Sequence, residues 1–125
     1  MRLLLVDDSP EIRKQLPRLL GGVAGVEEVV MASDADSGLY RARELNPDLM
    51  IIDLEFRRSS MNGIELVSML AKLDRRPILL VYTNHPELRP YALEAGADHF
   101  FDKSNETGRL IETLRRLAVT EGLSR

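Results

Sequence analysis

The chain has 125 residues and a formal net charge of −3, a length that allows one domain built around one hydrophobic core. The acidic balance excludes non-specific binding of nucleic acid, which needs a basic face, and the absence of cysteine excludes a disulfide framework and a zinc–thiolate site. The four apolar residues before Asp7 are too few for a signal-peptide core or a membrane span, so we expect one cytoplasmic domain over residues 1–125.

The first half of the chain alternates short apolar runs with stretches of helical spacing. Leu3–Val6, Glu28–Met31 and Leu49–Ile52 predict strands, and the scarcity of polar alternation is typical of strands buried on both faces. The helical stretches between them carry apolar stripes at Ile12, Leu16, Leu19 and Leu20, and then at Ala35, Leu39, Ala42 and Leu45.

Two prolines mark the first of these helices. Pro10 suits the first helical turn, and Ser9 before it is a suitable cap. Pro17 lies inside the pattern and lacks the N–H that would bond the Arg13 carbonyl, which predicts a kink or a break near Arg13 to Leu16.

The second half of the chain continues the alternation and fixes the fold class. Ile78–Tyr82 and His99–Phe101 predict two more strands. Apolar stripes predict three helices, at Leu66, Val67, Leu70 and Leu73, at Leu88, Tyr91, Ala92 and Ala95, and at Leu110, Ile111, Leu114, Leu117 and Ala118. Five strands alternating with five helices predict a doubly wound, flavodoxin-like α/β domain. Right-handed crossovers leave few topologies for its parallel sheet, and we expect the order 2-1-3-4-5, with helices on two faces.

Acidic residues follow two of the predicted strands. Asp7 and Asp8 end the first strand and Asp53 ends the third, and in this strand order the two strands are neighbours. Three close carboxylates repel one another, and a divalent cation removes that repulsion. Oxygen ligands without histidine or cysteine suit Mg²⁺, and a metal beside a carboxylate nucleophile is an arrangement for phosphoryl transfer.

Two further strand ends carry groups that suit a phosphoryl group. Thr83 offers a hydroxyl after the fourth strand, and Lys103 offers an ammonium after the fifth. Singly, each residue has a simpler explanation, because an Asp after a strand is commonly a turn or cap residue and a Lys is commonly solvated. Their joint occurrence at four carboxyl ends favours a site.

Four segments resemble the receiver domains of two-component response regulators, and the resemblance runs from Leu3 to about Leu117. "LLLVDDSP" resembles the first strand and acidic pair of that family, and "PDLMIIDLEF" resembles its phosphoacceptor strand. "LVYTN" resembles the fourth strand with its hydroxyl residue, and "EAGADHFFDKS" resembles the segment with the switch aromatic and the lysine.

The resemblance implies a role for each residue of the site. Asp53 would be the phosphorylated residue, and Mg²⁺ would be held by Asp53, by Asp8 directly, by Asp7 mainly through water and by the backbone carbonyl of Glu55. Thr83 and Lys103 would contact the phosphoryl oxygens. Thr83 and Phe100, three residues before the lysine, would move on phosphorylation and change the surface of the fourth helix, fifth strand and fifth helix.

The loop after Asp53 departs from the family pattern. The family usually has a proline four residues after the phosphoacceptor and a glycine eight after it, whereas "DLEFRRSSMNG" has Arg57 at the first position and reaches Gly63 ten residues on. Arg57 and Arg58 either steer an acidic partner or are simply solvated, and we favour solvation. Glu55 and His85 occupy positions that tune the phosphoryl lifetime in the family.

The resemblance also implies partners. A sensor histidine kinase or phosphotransfer protein would donate the phosphoryl group, and a downstream protein would receive the signal. Like the stand-alone chemotaxis-type regulators, the chain would act by binding another protein, or it would pass the phosphoryl group on in a relay. We expect it to bind no nucleic acid directly and to touch no membrane. A homodimer is an option, and the chain would be no enzyme beyond its own phosphorylation and dephosphorylation.

Two alternatives are open at this point. One is a receiver fragment of a longer DNA-binding regulator. The other is an Asp-nucleophile phosphatase, although such enzymes typically place the nucleophile after the first strand with a second Asp two residues later, where this chain has adjacent acids.

Overall fold

The computed structural model describes residues 1–57 and 59–123, so Arg58 lies outside the described part. Every predicted strand is present, with each boundary within one residue of its predicted position. The elements in chain order are β1 Arg2–Val6, α1 Pro10–Leu20, β2 Glu28–Ala32, α2 Ala35–Leu45, β3 Leu49–Ile52, α3 Gly63–Leu70, β4 Ile78–Thr83, a 3₁₀ turn Pro86–Leu88, α4 Arg89–Ala95, β5 His99–Asp102 and α5 Thr107–Leu123.

The five strands form one parallel sheet in the order β2-β1-β3-β4-β5, which confirms the predicted topology. The side chains of Leu3–Val6 in β1 and of all four residues of β3 are fully buried because helices cover both faces. Three helices pack on one face through the buried residues Ala35, Leu39, Ala42, Leu66, Val67, Leu70 and Ala92. The helices α1 and α5 pack on the other face through Leu16, Leu20, Leu110, Leu114 and Ala118.

The break predicted in the first helix does not occur. Ser9 caps α1 by accepting the N–H of Ile12, and the helix then runs continuously from Pro10 through Pro17 to Leu20. Leu16 and Leu20, on either side of the proline, are buried in the core. Burial of these two side chains holds the helix against the sheet despite the hydrogen bond that Pro17 removes.

The apolar stripe predicted for the fourth helix is only partly buried. Ala92 is fully buried as expected, but Tyr91 is 61% exposed and Leu88 belongs to the 3₁₀ turn. Tyrosine tolerates exposure because its hydroxyl is solvated, so its presence in a helical pattern is a weak indicator of a core face.

Within the described residues, no helix is both long and apolar enough to cross a membrane.

Candidate functional site

The parallel register of β1 and β3 brings the three predicted acids together. Val6 pairs with Ile52, and the next residue, Asp53, donates its N–H to the Val6 carbonyl oxygen at 2.9 Å. One carboxylate oxygen from each of Asp7, Asp8 and Asp53 lies within 4.8 Å of the others. The strand ends therefore bring three negative charges to one point, as the sequence predicted.

Asp7 is the most deeply buried of the three acids, with 1% of its surface exposed. Its Oδ1 accepts the N–H of Ser9 at 2.8 Å, and its Oδ2 lies 2.7 Å from the ammonium of Lys103. Burial raises the pKa of Asp7 above its usual value even though Lys103 acts in the opposite direction. The folded protein therefore favours the neutral form of this carboxyl more than water does.

Lys103 lies at the end of β5 and reaches across the sheet to two of the acids. Its backbone N–H donates to the carbonyl of Thr83 at 2.8 Å, which ties the chain after β5 to the end of β4. Its ammonium lies 2.7 Å from Asp7 and 3.2 Å from Asp53. Burial alone would lower the pKa of Lys103, but the carboxylates of Asp53 and Asp7 outweigh it and the pKa is raised.

The carboxylate of Asp53 faces a cleft of about 380 Å³. Asp53 is 6% exposed, and its Oδ1 accepts the N–H of Leu54 at 2.8 Å and the N–H of Glu55 at 3.4 Å. Its Oδ2 is the atom that lies near Lys103. Two backbone donors and one ammonium therefore orient the carboxylate.

The loop after Asp53 is held by a close backbone contact and by a bond to the acid pair. Gly63, the first residue of α3, donates its N–H to the Leu54 carbonyl at 3.2 Å. A methyl group at Gly63 would overlap the Leu54 Cα atom and lie 2.8 Å from its carbonyl carbon and oxygen. Between Asp53 and Gly63, the N–H of Arg57 donates to Asp8 Oδ2 at 3.2 Å.

Thr83 and Phe100 are both buried, Thr83 at the end of β4 and Phe100 within β5. The Thr83 side chain is fully buried, and its hydroxyl has no hydrogen-bond partner in the part of the chain that the structure describes. Phe100 is 4% exposed, and the guanidinium of Arg89 lies over its ring at 4.9 Å from the centroid. Arg89 also pairs with Glu106 at 3.2 Å, so the ring lies beneath a contact that joins α4 to the loop before α5.

A pair that the sequence analysis did not predict lies at the rim of the cleft. Glu55 Oε2 and His85 Nε2 are 2.7 Å apart, although 30 positions separate the residues. His85 lowers the pKa of Glu55. The pKa of His85 is raised, first by its hydrogen bond to Glu55 and then by its hydrogen bond to Glu87. The pairing of β3 with β4, in which Ile52 lies opposite Val81, would have predicted this contact. Glu55 follows the end of β3 and His85 follows the end of β4, so the two residues lie at the same edge of the sheet.

The donor set fits a hard divalent cation. The three carboxylates of Asp7, Asp8 and Asp53 offer only oxygen atoms as ligands. Together with the ammonium of Lys103, these four side chains carry a formal net charge of −2. The carbonyl of Glu55 is the predicted fourth ligand. An all-oxygen set with excess negative charge is the kind of site that Mg²⁺ occupies.

Neutralising one acid is expected to stabilise the metal-free protein. Because the pKa of Asp7 is higher in the folded than in the unfolded chain, its ionised form destabilises the fold at neutral pH, and this penalty fades as pH falls through the folded pKa. We expect Asp7→Asn to raise the free energy of unfolding at pH 7 by roughly 1 kcal/mol. Urea unfolding at steps from pH 7 down to pH 4 measures it, and a gain that does not shrink towards the lowest pH contradicts the explanation.

Comparison with known proteins assigns residues 3–115 to one described family. They match the sequence profile of the "Response regulator receiver domain". The chain is 32% identical over 121 residues to the nitrate/nitrite response regulator protein NarL of Escherichia coli strain K12, covering 95% of this chain and 55% of NarL. It is 35% identical over 120 residues to the transcriptional regulatory protein BtsR of Salmonella typhimurium, covering 94% of this chain and 48% of BtsR. The chain thus spans about half the length of these curated relatives.

Solved structures give the same assignment. A CheY-like response regulator receiver domain protein from Methanospirillum hungatei superposes with a TM-score of 0.82 at 25% identity, over 99% of this chain and 98% of that one. A LuxR-family two-component response regulator from Aurantimonas superposes with a TM-score of 0.83 at 29% identity, over 95% of this chain and 85% of that one.

Proposed function

This chain belongs to the response regulator receiver domain family, and from that premise we propose that it is a phosphorylation-dependent switch in which Asp53 accepts the phosphoryl group. The observation that carries the proposal is the pair of contacts of Lys103 with Asp53 and Asp7, at a point where Asp8 also contributes a carboxylate oxygen. A cleft opens directly onto Asp53 and leaves a route for a donor.

The proposed reaction is a displacement at phosphorus. A carboxylate oxygen of Asp53 attacks the phosphorus of a phosphohistidine, the bond from phosphorus to nitrogen breaks, and the histidine leaves with a proton from solvent. Asp7, Asp8, Asp53 and the carbonyl of Glu55 would hold Mg²⁺, which when bound neutralises the negative charge gathered there. Lys103 lies within reach of Asp53 and would bind a phosphoryl oxygen.

Thr83 and Phe100 are proposed to transmit the modification. The buried Thr83 hydroxyl is a donor without a partner among the described residues, so a phosphoryl oxygen would supply the acceptor it lacks. Phe100 lies under Arg89, which contacts Glu106 in the loop before α5. A change at these two residues would alter the surface formed by α4, β5 and α5 and so its preference for a partner protein.

The proposal includes partners of stated type. A sensor histidine kinase or a phosphotransfer protein donates the phosphoryl group in the cytoplasm, and a downstream protein or a second copy of the chain reads the α4–β5–α5 surface. The curated names of NarL and BtsR describe response and transcriptional regulation. A DNA-binding portion elsewhere in the same polypeptide is therefore an equally acceptable output, and this chain itself turns over no separate substrate.

The test is a covalent modification at one residue. Incubation with acetyl phosphate and Mg²⁺ is expected to add the mass of one phosphoryl group to the intact protein, and Asp53→Asn is expected to abolish the gain. Glu11→Gln, which removes a carboxylate from the wall of the same cleft, is the control and should keep it. Modification that persists in Asp53→Asn would refute the assignment, and continuous turnover of a generic phosphate ester would favour a phosphatase.

A further inference from the structure

The cleft in front of Asp53 carries more negative than positive side chains. Its charged lining consists of Asp8, Glu11, Asp53 and Glu55 on the acidic side, with Arg57 and Lys103 as cations. The carboxylate of Asp7 adds a further negative charge beneath this lining, 2.7 Å from Lys103. These side chains sum to a formal charge of −3, and the two charges of Mg²⁺ would still leave −1, so a phosphodonor, which is itself an anion, approaches a surface that on balance repels it.

Lys103 contributes little to attracting such a donor from solvent. Its ammonium lies between the carboxylates of Asp7 and Asp53, at 2.7 Å and 3.2 Å, and only 8% of its side chain is exposed. The two negative charges in contact with it more than balance its own. At a distance, this group of three side chains acts as a net negative charge.

Arg57 is the other cation of the cleft, and it is placed differently. Its backbone N–H bonds Asp8 Oδ2 at 3.2 Å, a bond that the proline usual at this position in the family could not make. Its side chain is exposed and lines both this cleft and a neighbouring one of about 450 Å³. Among residues 1–57 and 59–123, its guanidinium forms no ion pair within 4 Å, so its charge is available to a ligand.

The exposed side chain of Arg57 is open to solvent, but it also lines the cleft in front of Asp53. Solvation, the explanation favoured from sequence alone, is therefore an incomplete account of Arg57, because it leaves out the position of the residue in the lining of this cleft.

We propose that Arg57 is a specificity-determining residue of the phosphorylation site, whose charge attracts small dianionic acyl phosphates to Asp53. This inference rests on the proposed function and adds the class of donor. In the reaction, an Asp53 oxygen bonds to phosphorus, the bond from phosphorus to the acyl oxygen breaks, and a carboxylate leaves. One carboxylate and one dianion thus give the aspartyl phosphate and one carboxylate, with no proton gained or lost.

The experiment compares two donors that differ in charge. Second-order rate constants for phosphorylation are measured by intact mass with acetyl phosphate, a dianion near neutral pH, and with phosphoramidate, which carries one negative charge fewer. The variants are Arg57→Gln, which keeps the backbone N–H and removes the charge, Arg57→Lys, which keeps the charge, and Arg115→Gln. Arg115 is an exposed arginine of α5 outside the cleft lining and gives the same change in net charge.

We expect Arg57→Gln to slow modification by acetyl phosphate about fivefold at low ionic strength and modification by phosphoramidate about twofold, since the attraction scales with donor charge. The differences in rate between Arg57→Gln and the wild type should shrink as salt is added, because salt screens the charge of Arg57. Arg57→Lys should recover most of the rate, and Arg115→Gln should match the wild type.

Three results would overturn the inference. The first is an Arg57→Gln rate equal to that of Arg115→Gln. The second is a loss of the same size with both donors at every salt concentration, which would indicate a disturbed loop. If neither small donor modifies the wild-type protein, the inference also falls, while modification of Asp53 by a phosphorylated donor protein would leave the proposed function standing.

Discussion

Replacing Lys103 by Met is expected to lower the free energy of unfolding of the metal-free protein by about 3 kcal/mol, because it removes one partner of a buried ion pair. The ammonium lies 2.7 Å from Asp7 and 3.2 Å from Asp53, and both carboxylates are nearly inaccessible to water. Without it, the net charge of the four side chains at the site changes from −2 to −3. Urea unfolding followed by circular dichroism measures the loss, and added Mg²⁺ should restore part of it.

Two comparisons separate this explanation from a general effect of lysine removal. Lys72→Met changes an exposed lysine and should alter the stability by less than about 0.5 kcal/mol. The double variant Asp7→Asn/Lys103→Met should be more stable than Lys103→Met alone, since it removes one of the two charges left unpaired. Equal stability of Lys103→Met and the wild type without Mg²⁺ would mean that the ammonium does not compensate the acids.

Gly63→Ala is expected to destabilise the protein by about 3 kcal/mol, within the range for an overpacked buried position. The added methyl group would overlap the Leu54 Cα atom and lie 2.8 Å from the Leu54 carbonyl group. Backbone atoms cannot rotate away, so α3 or the loop after β3 must shift. Because Leu54 directly follows Asp53 and its N–H bonds the Asp53 carboxylate, we also expect slower modification by acetyl phosphate.

The matched control for Gly63→Ala is Gly108→Ala. Gly108 is the second residue of α5, and a methyl group there would meet no atom within 4 Å. Alanine favours the helix over glycine, so this variant should be more stable by about 0.5 kcal/mol. We expect Gly63→Ala to lower the free energy of unfolding and Gly108→Ala to raise it. Destabilisation of similar size in both variants would show that close packing against Leu54 is not the cause.

The sheet and its acidic cluster were predictable because two independent signals agree. Runs such as Leu49–Ile52 are apolar on both faces, which indicates a covered parallel strand, and an acid follows each of the first and third runs. In a parallel sheet, residues that follow paired strands are neighbours, so the convergence of Asp7 and Asp53 follows from strand order alone.

The features that were missed depend on loops and on side-chain exposure. The contact of Glu55 with His85 and the bond from Arg57 to Asp8 are set by the path of the backbone after each strand, which apolar periodicity does not describe. Tyr91 has the spacing of a core residue, yet it lies in the short helix α4, where Ala92 alone is buried. The break expected near Pro17 is absent because Leu16 and Leu20 pack in the core on either side of it. This packing outweighs the tendency of proline to interrupt a helix.

The strand order has a consequence for synthesis of the chain. The neighbours β2, β1 and β3 all lie within residues 2–52, so three of the five strands are synthesised before β4 and β5. Asp7, Asp8 and Asp53 emerge in that first half, whereas their counter-charge Lys103 arrives fifty positions later. The three carboxylates therefore have no ammonium beside them until the segment after β5 is in place, and the charge balance of the site depends on the part of the sheet that is synthesised last.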